Sequence, residues 1–340
     1  MALQEGRNLW PFRHRIVRCF RGQFPGAPGS CMGHSRHRRT GCIQRWRRVF
    51  MLITTSPLLK AAWRLQATSV VLLPLFIWQL RKGSTVFEWD RSVVWIILGS
   101  GICLWIHFGS WVWSLDHTSL THSLLFVTAH PLLIVTAMIA LRITPHRWES
   151  WGAVIGVFGV VLAVQDAGTG PVTLIGDAAA FLGAIAIVGY FAAGRVLRGE
   201  RQMPLFLYAF PVTAIAAIFL TIHAMLAEGA TLDNAVVNTS ILGWTDAAWI
   251  IFVGYLALGP GLLGHTGINA SLKWLPPLVI SVSVIMEPIL GGLLGYILGV
   301  QDVPSDWTWI GGPLMIAGTA MAIVGTHRRL TEEPEIPALN

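Results

Sequence analysis

One carboxylate lies deep inside an apolar stretch of the sequence. Glu287 is followed by Pro288 within VIMEPILGGLLGYILG, residues 284–299. An ionised carboxylate in the middle of a membrane helix costs roughly 2.5–3.5 kcal/mol, so it must face protein or water, or be protonated. Two interpretations stay open: Glu287 lines a polar pathway, where it contacts a substrate or titrates, or it accepts hydrogen bonds that hold two helices together. Pro288 removes a helix hydrogen bond and predicts a break there.

A histidine and an arginine are the next candidates for a polar pathway. His130 precedes Pro131, a second predicted helix break, in another apolar run. Neutral imidazole is cheap to bury and titrates near neutral pH, so His130 is either a proton relay or a side chain bound by a neighbouring hydroxyl or carbonyl. Arg64 lies one turn inside an apolar segment, where it either attracts an anionic group or extends to the membrane interface beside Lys60.

Two aromatic residues and one aspartate are further candidates. Tyr190 and Trp111 are candidate aromatic side chains of a pathway, and helix packing is the alternative for both. Asp177 stands at the start of an apolar segment, where a carboxylate caps free N–H groups and complements the helix dipole. We therefore predict a helix-capping role for Asp177.

No pattern in the sequence indicates catalysis. There is no GxSxG or HExxH motif, and no second deep acid accompanies Glu287. The four cysteines form no CxxC pair and no metal spacing, and no Walker motif is present. We expect no catalytic residue, no metal site and no cofactor, which excludes an enzyme and direct ATP coupling.

The elements that must position these residues are membrane helices. Hydrophobic residues make up 54% of the 340 residues and charged residues only 12%, too few to cover the surface of a soluble domain. A bilayer crossing needs ~17–25 apolar residues, and short connections separate the apolar segments, which do not alternate as barrel strands do. Nine segments qualify, at about 61–80, 92–113, 119–141, 149–165, 173–194, 204–226, 247–264, 276–298 and 307–326.

The basic residues predict the orientation of these helices. The net charge is +7, but the Lys and Arg residues after residue 80 all lie in alternate loops or in the tail at 327–340. By the positive-inside rule those loops and the C-terminus are cytoplasmic, and nucleic-acid binding is not expected.

The first 48 residues differ from the rest. Residues 1–48 contain 11 Arg and one acidic residue, which suits a transit peptide, a disordered tail or a mispredicted start. Residues 49–59 are apolar but too short to cross a bilayer, so we interpret them as the remnant of a lost first helix.

An internal repeat divides the remaining chain. Residues 114–131 and 271–288 both begin Ser-Leu and end in Pro, 157 residues apart. Gly152 and Gly159 pair with Gly311 and Gly318 at a spacing of 159. The loop charges place the two copies in opposite orientations, so we predict inverted repeats at 49–165, with four spans, and at 173–326, with five.

These stretches resemble the drug/metabolite transporter superfamily of the EamA type. The resemblance rests on SPLLKAAWRLQATS at 56–69, IGDAAAFLGAIAIVGYFAAGRVLR at 175–198, the Glu287-Pro288 helix and the glycine-rich closing helices. It implies two repeats of five helices, whereas the first helix is absent or unrecognisable here.

The sequence therefore predicts an all-α polytopic membrane protein that moves a small organic metabolite, amino acid-like or related, by alternating access. A truncated or non-transporting paralogue and a nucleotide-sugar or sugar-phosphate carrier remain as alternatives. The expected partners are a small-molecule substrate, the lipid bilayer and, for a coupled carrier, protons; a homodimer is left open.

Overall fold

A computed structural model describes residues 55–82, 87–165, 172–286, 289–290, 293, 297 and 306–332. Residues 1–48 and both members of the Glu287-Pro288 pair lie outside the described residues. The chain divides into two compact units, Met1–Thr55 and Ser56–Asn340. The second unit contains all of the helices discussed below.

Helices account for nearly all of the regular structure in the described part of the chain. Their bounds are α1 Pro57–Arg81, α2 Arg91–His117, α3 Leu120–Val127, α4 His130–Ala140, α5 Arg147–Ala163, α6 Leu174–Gly194, α7 Leu205–Glu228, α8 Ile250–Leu256, α9 Gly267–Ser271, α10 Pro277–Val284 and α11 Asp306–Glu332. A π-helical segment, Arg195–Glu200, continues α6, and a second one, Ala257–Thr266, joins α8 to α9.

Seven helices of the described residues are long and apolar enough to cross a membrane. Of the other two predicted segments, α5 has 17 residues and α10 is described as far as Val284. Exposed apolar side chains such as Trp95, Ile251 and Leu263 cover the outer faces of the helices, as is typical of contact with lipid. The prediction of an all-α polytopic membrane protein is confirmed.

The segment predicted at 247–264 ends later than expected. Its helix runs from Ile250 to Ser271, because the π-helical segment carries the backbone past Pro260. Pro260 and the neighbouring glycines lower the apolar character of this stretch, which is why the sequence pattern ended too early. As a result His265, predicted to be in a loop, lies within a spanning helix.

Short polar residues begin several of the helices. The Asp90 carboxylate caps α2 by accepting from the Val93 amide at 2.8 Å. Hydrogen bonds from the Ser92 hydroxyl and the Val93 amide lower the pKa of Asp90 to about 2.

The prediction that Asp177 caps α6 is corrected by the structure. The N-cap is Thr173, whose hydroxyl accepts from the Gly176 amide at 3.1 Å. Asp177 lies within the first turn, where its carboxylate accepts from the Thr118 hydroxyl at 2.6 Å and lies 3.0 Å from Nδ1 of His122. It joins α6 to the region between α2 and α3, while its charge still complements the helix dipole.

The two halves of the chain break their helices at matching positions. Helix α3 covers residues 120–127 and α10 covers residues 277–284, so both ends of α10 lie 157 residues after those of α3. A turn follows both helices, at residues 128–129 and at residues 285–286. In the first half Pro131 then occupies the second position of α4. In the first half the break therefore precedes the proline, since a proline is tolerated in the first turn of a helix but not in its interior.

Glycines bring α5 and α11 into close contact. A Cβ atom built on Gly152 would lie 2.7 Å from the carbonyl oxygen of Gly318, and one built on Gly159 would lie 2.8 Å from that of Gly311. Residue numbers along α11 decrease as those of their contacts along α5 increase, so the two helices are antiparallel. Residues paired by the repeat thus exchange equivalent contacts, as expected for halves related by a two-fold axis.

We predict that Gly318→Ala lowers the stability of the folded protein by about 1–3 kcal/mol, because the added methyl group overlaps backbone atoms. The new Cβ would lie 2.5 Å from the Gly156 amide nitrogen. Thermal unfolding of purified protein in detergent measures the effect. The matched control is Gly254→Ala, since a Cβ atom there meets no atom within 4 Å. Equal melting temperatures for the two variants would contradict the close helix contact.

Candidate functional site

A cavity of about 250 Å³ lies among the spanning helices. Its walls come from both predicted repeats: α1, α2, α3 and α4 from the first half, and α6, α9, α10 and the second π-helical segment from the other. No Asp or Glu occurs among its described lining residues. A concave site of this kind, apolar with a few convergent polar groups, is typical of a small-molecule pocket.

Arg64 provides the positive charge among the described lining residues. It belongs to α1, and its guanidinium carbon lies 5.0 Å from the centroid of the Phe108 ring on α2. A guanidinium in this position is attracted by the negative face of the ring. The contact orients the arginine toward the interior of the protein rather than toward the membrane interface.

Two histidines of the lining are oriented by hydrogen bonds to the protein itself. Nδ1 of His107 lies 2.9 Å from the carbonyl oxygen of Gly183, which requires a proton on Nδ1 because a carbonyl oxygen only accepts. Nδ1 of His130 lies 2.5 Å from the hydroxyl oxygen of Ser281. Both contacts join the first half of the chain to the second, so both imidazoles are held at the boundary between the halves.

A third histidine of the lining, His265, has a different environment from the other two. Its Nδ1 is buried and has no hydrogen-bond partner among the described residues. Its ring contacts Phe108 at 5.2 Å and Tyr190 at 6.4 Å between centroids. A polar atom held inside a membrane protein without a partner is costly unless a ligand or another group satisfies it.

A layer of buried polar groups lies next to the cavity. The Tyr190 hydroxyl donates to Oδ1 of Asn269 at 2.7 Å, and the buried Arg198 side chain donates to the Asn269 carbonyl oxygen at 3.1 Å. Ser100 and Tyr208 share a hydroxyl hydrogen bond of 2.7 Å. These contacts join α6, α7, α9 and α2, and they satisfy polar groups that would otherwise be unpaired in the bilayer interior.

The structure brings together three of the five predicted pathway residues. Arg64, Trp111 and His130 line the cavity. Tyr190 does not line it, but its ring lies 5.8 Å from that of the lining residue Phe191. Glu287, the fifth, lies outside the described residues.

The remaining predicted positions lie elsewhere or cannot be placed. Pro131 is buried in the first turn of α4, and Asp177 belongs to the separate cluster with Thr118 and His122. Within the described residues no group of three His, Cys, Asp or Glu side chains has the geometry of a metal site.

The sequence pattern did not identify His265. His265 follows a stretch rich in glycine, so the hydropathy pattern placed it in a loop. His265 is also far along the sequence from His107 and His130, so the sequence does not show that the three histidines line one cavity. Only the tertiary contacts bring α2, α4 and the second π-helical segment to one cavity.

We predict that Tyr190→Phe lowers the stability by about 1–3 kcal/mol, because the buried Asn269 side-chain oxygen loses its donor. The measurement is thermal unfolding of the purified protein. As a control, Tyr255→Phe removes the hydroxyl of a tyrosine that is 61% exposed. If both variants unfold at the temperature of the unaltered protein, the hydrogen bond to Asn269 has no role in holding α6 against α9.

Comparison with known proteins supports the fold. No curated protein matches this sequence. Among solved structures 23 chains match, including one titled "Crystal structure of protein" with a TM-score of 0.62. That match has 20% sequence identity and covers 79% of this chain and 89% of the other, so it concerns the fold alone.

One family matches part of the sequence directly. Residues 48–165 match the EamA-like transporter family, and the match confirms the resemblance to the EamA type of the drug/metabolite transporter superfamily. With its apolar spanning helices, the chain is a multi-pass membrane protein, and its residues 48–165 are similar to the EamA-like transporter family.

Proposed function

We propose that this chain carries a small organic metabolite, amino acid-like or related, across a membrane by alternating access. The observation that carries the proposal is the cavity of about 250 Å³ between the two halves, lined by Arg64 and three histidines. A site with a few polar groups among spanning helices, at the boundary of two repeats, is where secondary transporters bind their substrates.

The contacts around the cavity favour a site that can change shape. His107, His130 and Phe108 each touch a residue of the other half of the chain, namely Gly183, Ser281 and His265. Movement of one half against the other would alter all three contacts together. The helix breaks after α3 and α10 lie at the cavity wall, since Thr128 and Val284 both line it. Broken helices at the binding site are typical of alternating-access carriers.

The same cavity argues against a nucleotide-sugar or sugar-phosphate carrier. Such cargo carries one or more phosphate charges, and its recognition needs several cationic groups. In the described lining Arg64 is the one permanently charged cation, and most other lining residues are aliphatic or aromatic. The proposal therefore favours a smaller solute of low charge.

Proton coupling through Glu287 or His130 is part of the proposal only as a hypothesis. His130 is held by Ser281 at the boundary between the halves, where a change in its charge would alter that contact. Transport rates in vesicles that do not vary with pH would exclude such coupling.

We predict that filling the cavity stops transport. Ile187 of α6 lines the cavity and is 4% exposed, so Ile187→Trp places an indole in the space that a substrate needs. Vesicles containing the purified protein are incubated with a mixture of small organic metabolites, and trapped solutes are quantified by mass spectrometry. The unaltered protein should accumulate at least one solute, and Ile187→Trp should reduce that accumulation by about tenfold or more, because overpacking closes the site.

The matched control is Ile185→Trp on the same helix, where the side chain is 49% exposed and faces away from the cavity. This variant should transport like the unaltered protein. Accumulation that is equal for both variants would contradict a role for the cavity. No accumulation by the unaltered protein would instead favour the non-transporting paralogue.

A further inference from the structure

Aromatic rings follow one another along the wall of the cavity. On α2 the rings of Trp111 and His107 are stacked with centroids 5.9 Å apart, and the ring of Phe108 lies 5.2 Å from that of His107. The Phe108 ring in turn lies 5.2 Å from that of His265 on the π-helical segment. Each distance falls in the range in which aromatic pairs attract one another.

The series continues onto α6 and α4. Tyr190 lies 6.4 Å from His265 and 5.8 Å from Phe191, and Phe191 lies 6.2 Å from His130 on α4. All members except Tyr190 line the cavity. We call this series the ring belt; its members are Trp111, His107, Phe108, His265, Tyr190, Phe191 and His130.

The ring belt gives the cavity a preference for one shape of ligand. Aromatic rings attract a flat π-system through offset stacking or edge-to-face contact, beyond the burial of apolar area. A saturated ring of the same carbon skeleton is puckered and lacks this attraction. Six rings line one cavity of about 250 Å³, so a small ligand has several aromatic side chains within reach there.

Two buried polar atoms of the ring belt have no hydrogen-bond partner among the described residues, Nδ1 of His265 and Nε1 of Trp111. Nδ1 of His107 is engaged by Gly183 and Nδ1 of His130 by Ser281, whereas Nδ1 of His265 has no partner among the described residues. An imidazole with an unused nitrogen accepts or donates one hydrogen bond according to its tautomer. His265 can therefore bind one polar substituent of a ligand whose flat body contacts the rings.

We propose that the cargo of this cavity is a flat aromatic or heteroaromatic solute with one hydrogen-bonding substituent, held by the ring belt and bound by His265. The inference rests on the proposed transport function and names its substrate class. Phe191 and Trp111 determine the preference for a flat ring, and His265 binds the substituent.

Two uncharged probes with the same carbon skeleton test the preference. Benzamide is aromatic and cyclohexanecarboxamide is saturated, while both carry the same amide group. Binding of each radiolabelled probe to the full chain in lipid nanodiscs is measured by equilibrium dialysis. We expect benzamide to bind about tenfold more tightly, which corresponds to one or two favourable ring contacts.

Substitutions then separate the roles of the residues. Phe191→Leu and Trp111→Leu keep an apolar side chain but remove a ring, so each should bring the two affinities closer together. His265→Phe keeps the ring and removes the hydrogen bond, so both probes should bind more weakly by a similar factor. The matched control is Phe210→Leu, since Phe210 pairs with Phe76 at 4.7 Å outside the ring belt and should leave the preference unchanged.

Equal affinities of the two probes for the unaltered protein would overturn the inference, as would a preference that survives both Phe191→Leu and Trp111→Leu. Binding of neither probe would overturn it as well. The metabolite uptake assay distinguishes this failure from that of the proposed function. If saturated metabolites accumulate in vesicles and aromatic ones do not, the proposed transport function is supported and the aromatic substrate class is contradicted.

Discussion

The interior of a bilayer contains no water, so each polar group of a spanning chain must bind another part of the protein or face a cavity. In this protein the constraint is met by pairs of side chains on different helices. Tyr208 binds Ser100, and Tyr190 binds Asn269. Glu149 is fully buried and accepts hydrogen bonds from Thr326 and Arg329, with the closest arginine contact at 2.9 Å. Among the buried polar atoms that have no hydrogen-bond partner in the described residues, Nδ1 of His265 and Nε1 of Trp111 belong to residues that line the cavity.

The same pairs determine how the two halves meet. Glu149 joins the start of α5 to the end of α11, and the glycines bring the middles of these antiparallel helices together. Around the cavity the helices of the two halves also pack along each other, as α2 does against α6. Single hydrogen bonds, such as that of His130 with Ser281, and ring contacts add to this packing at the cavity lining.

Much of the fold could be predicted from the sequence because membrane helices are governed by one strong signal. The lengths of the apolar segments predict the membrane-spanning helices. A repeat is indicated by the equal spacing of two glycine pairs, Gly152 with Gly311 and Gly159 with Gly318. The ends of helices were harder, since they depend on local hydrogen bonds. Thr173 rather than Asp177 caps α6, because the chain turns into the helix four residues before the carboxylate.

The site was only partly predictable. Arg64 and His130 are charged or titratable residues inside apolar runs, and Trp111 is a candidate pathway aromatic; all three line the cavity. His265 was missed because hydropathy cannot show that a π-helical segment continues a helix through proline and glycine. The ring belt could not be predicted at all, since aromatic residues are frequent in membrane helices and only tertiary structure shows which of them touch.

Two oppositely oriented halves would place repeat-related residues on opposite sides of the membrane. Asp116, near the end of α2, and Trp274, just beyond α9, are exposed and occupy equivalent ends of repeat-related helices. Single-cysteine variants, Asp116→Cys and Trp274→Cys, are made in a chain whose own cysteines are replaced by serine, and sealed cells or vesicles are treated with a membrane-impermeant maleimide. The account predicts that one cysteine is labelled from outside and the other only after the membrane is permeabilised. Labelling of both from the same side would contradict it.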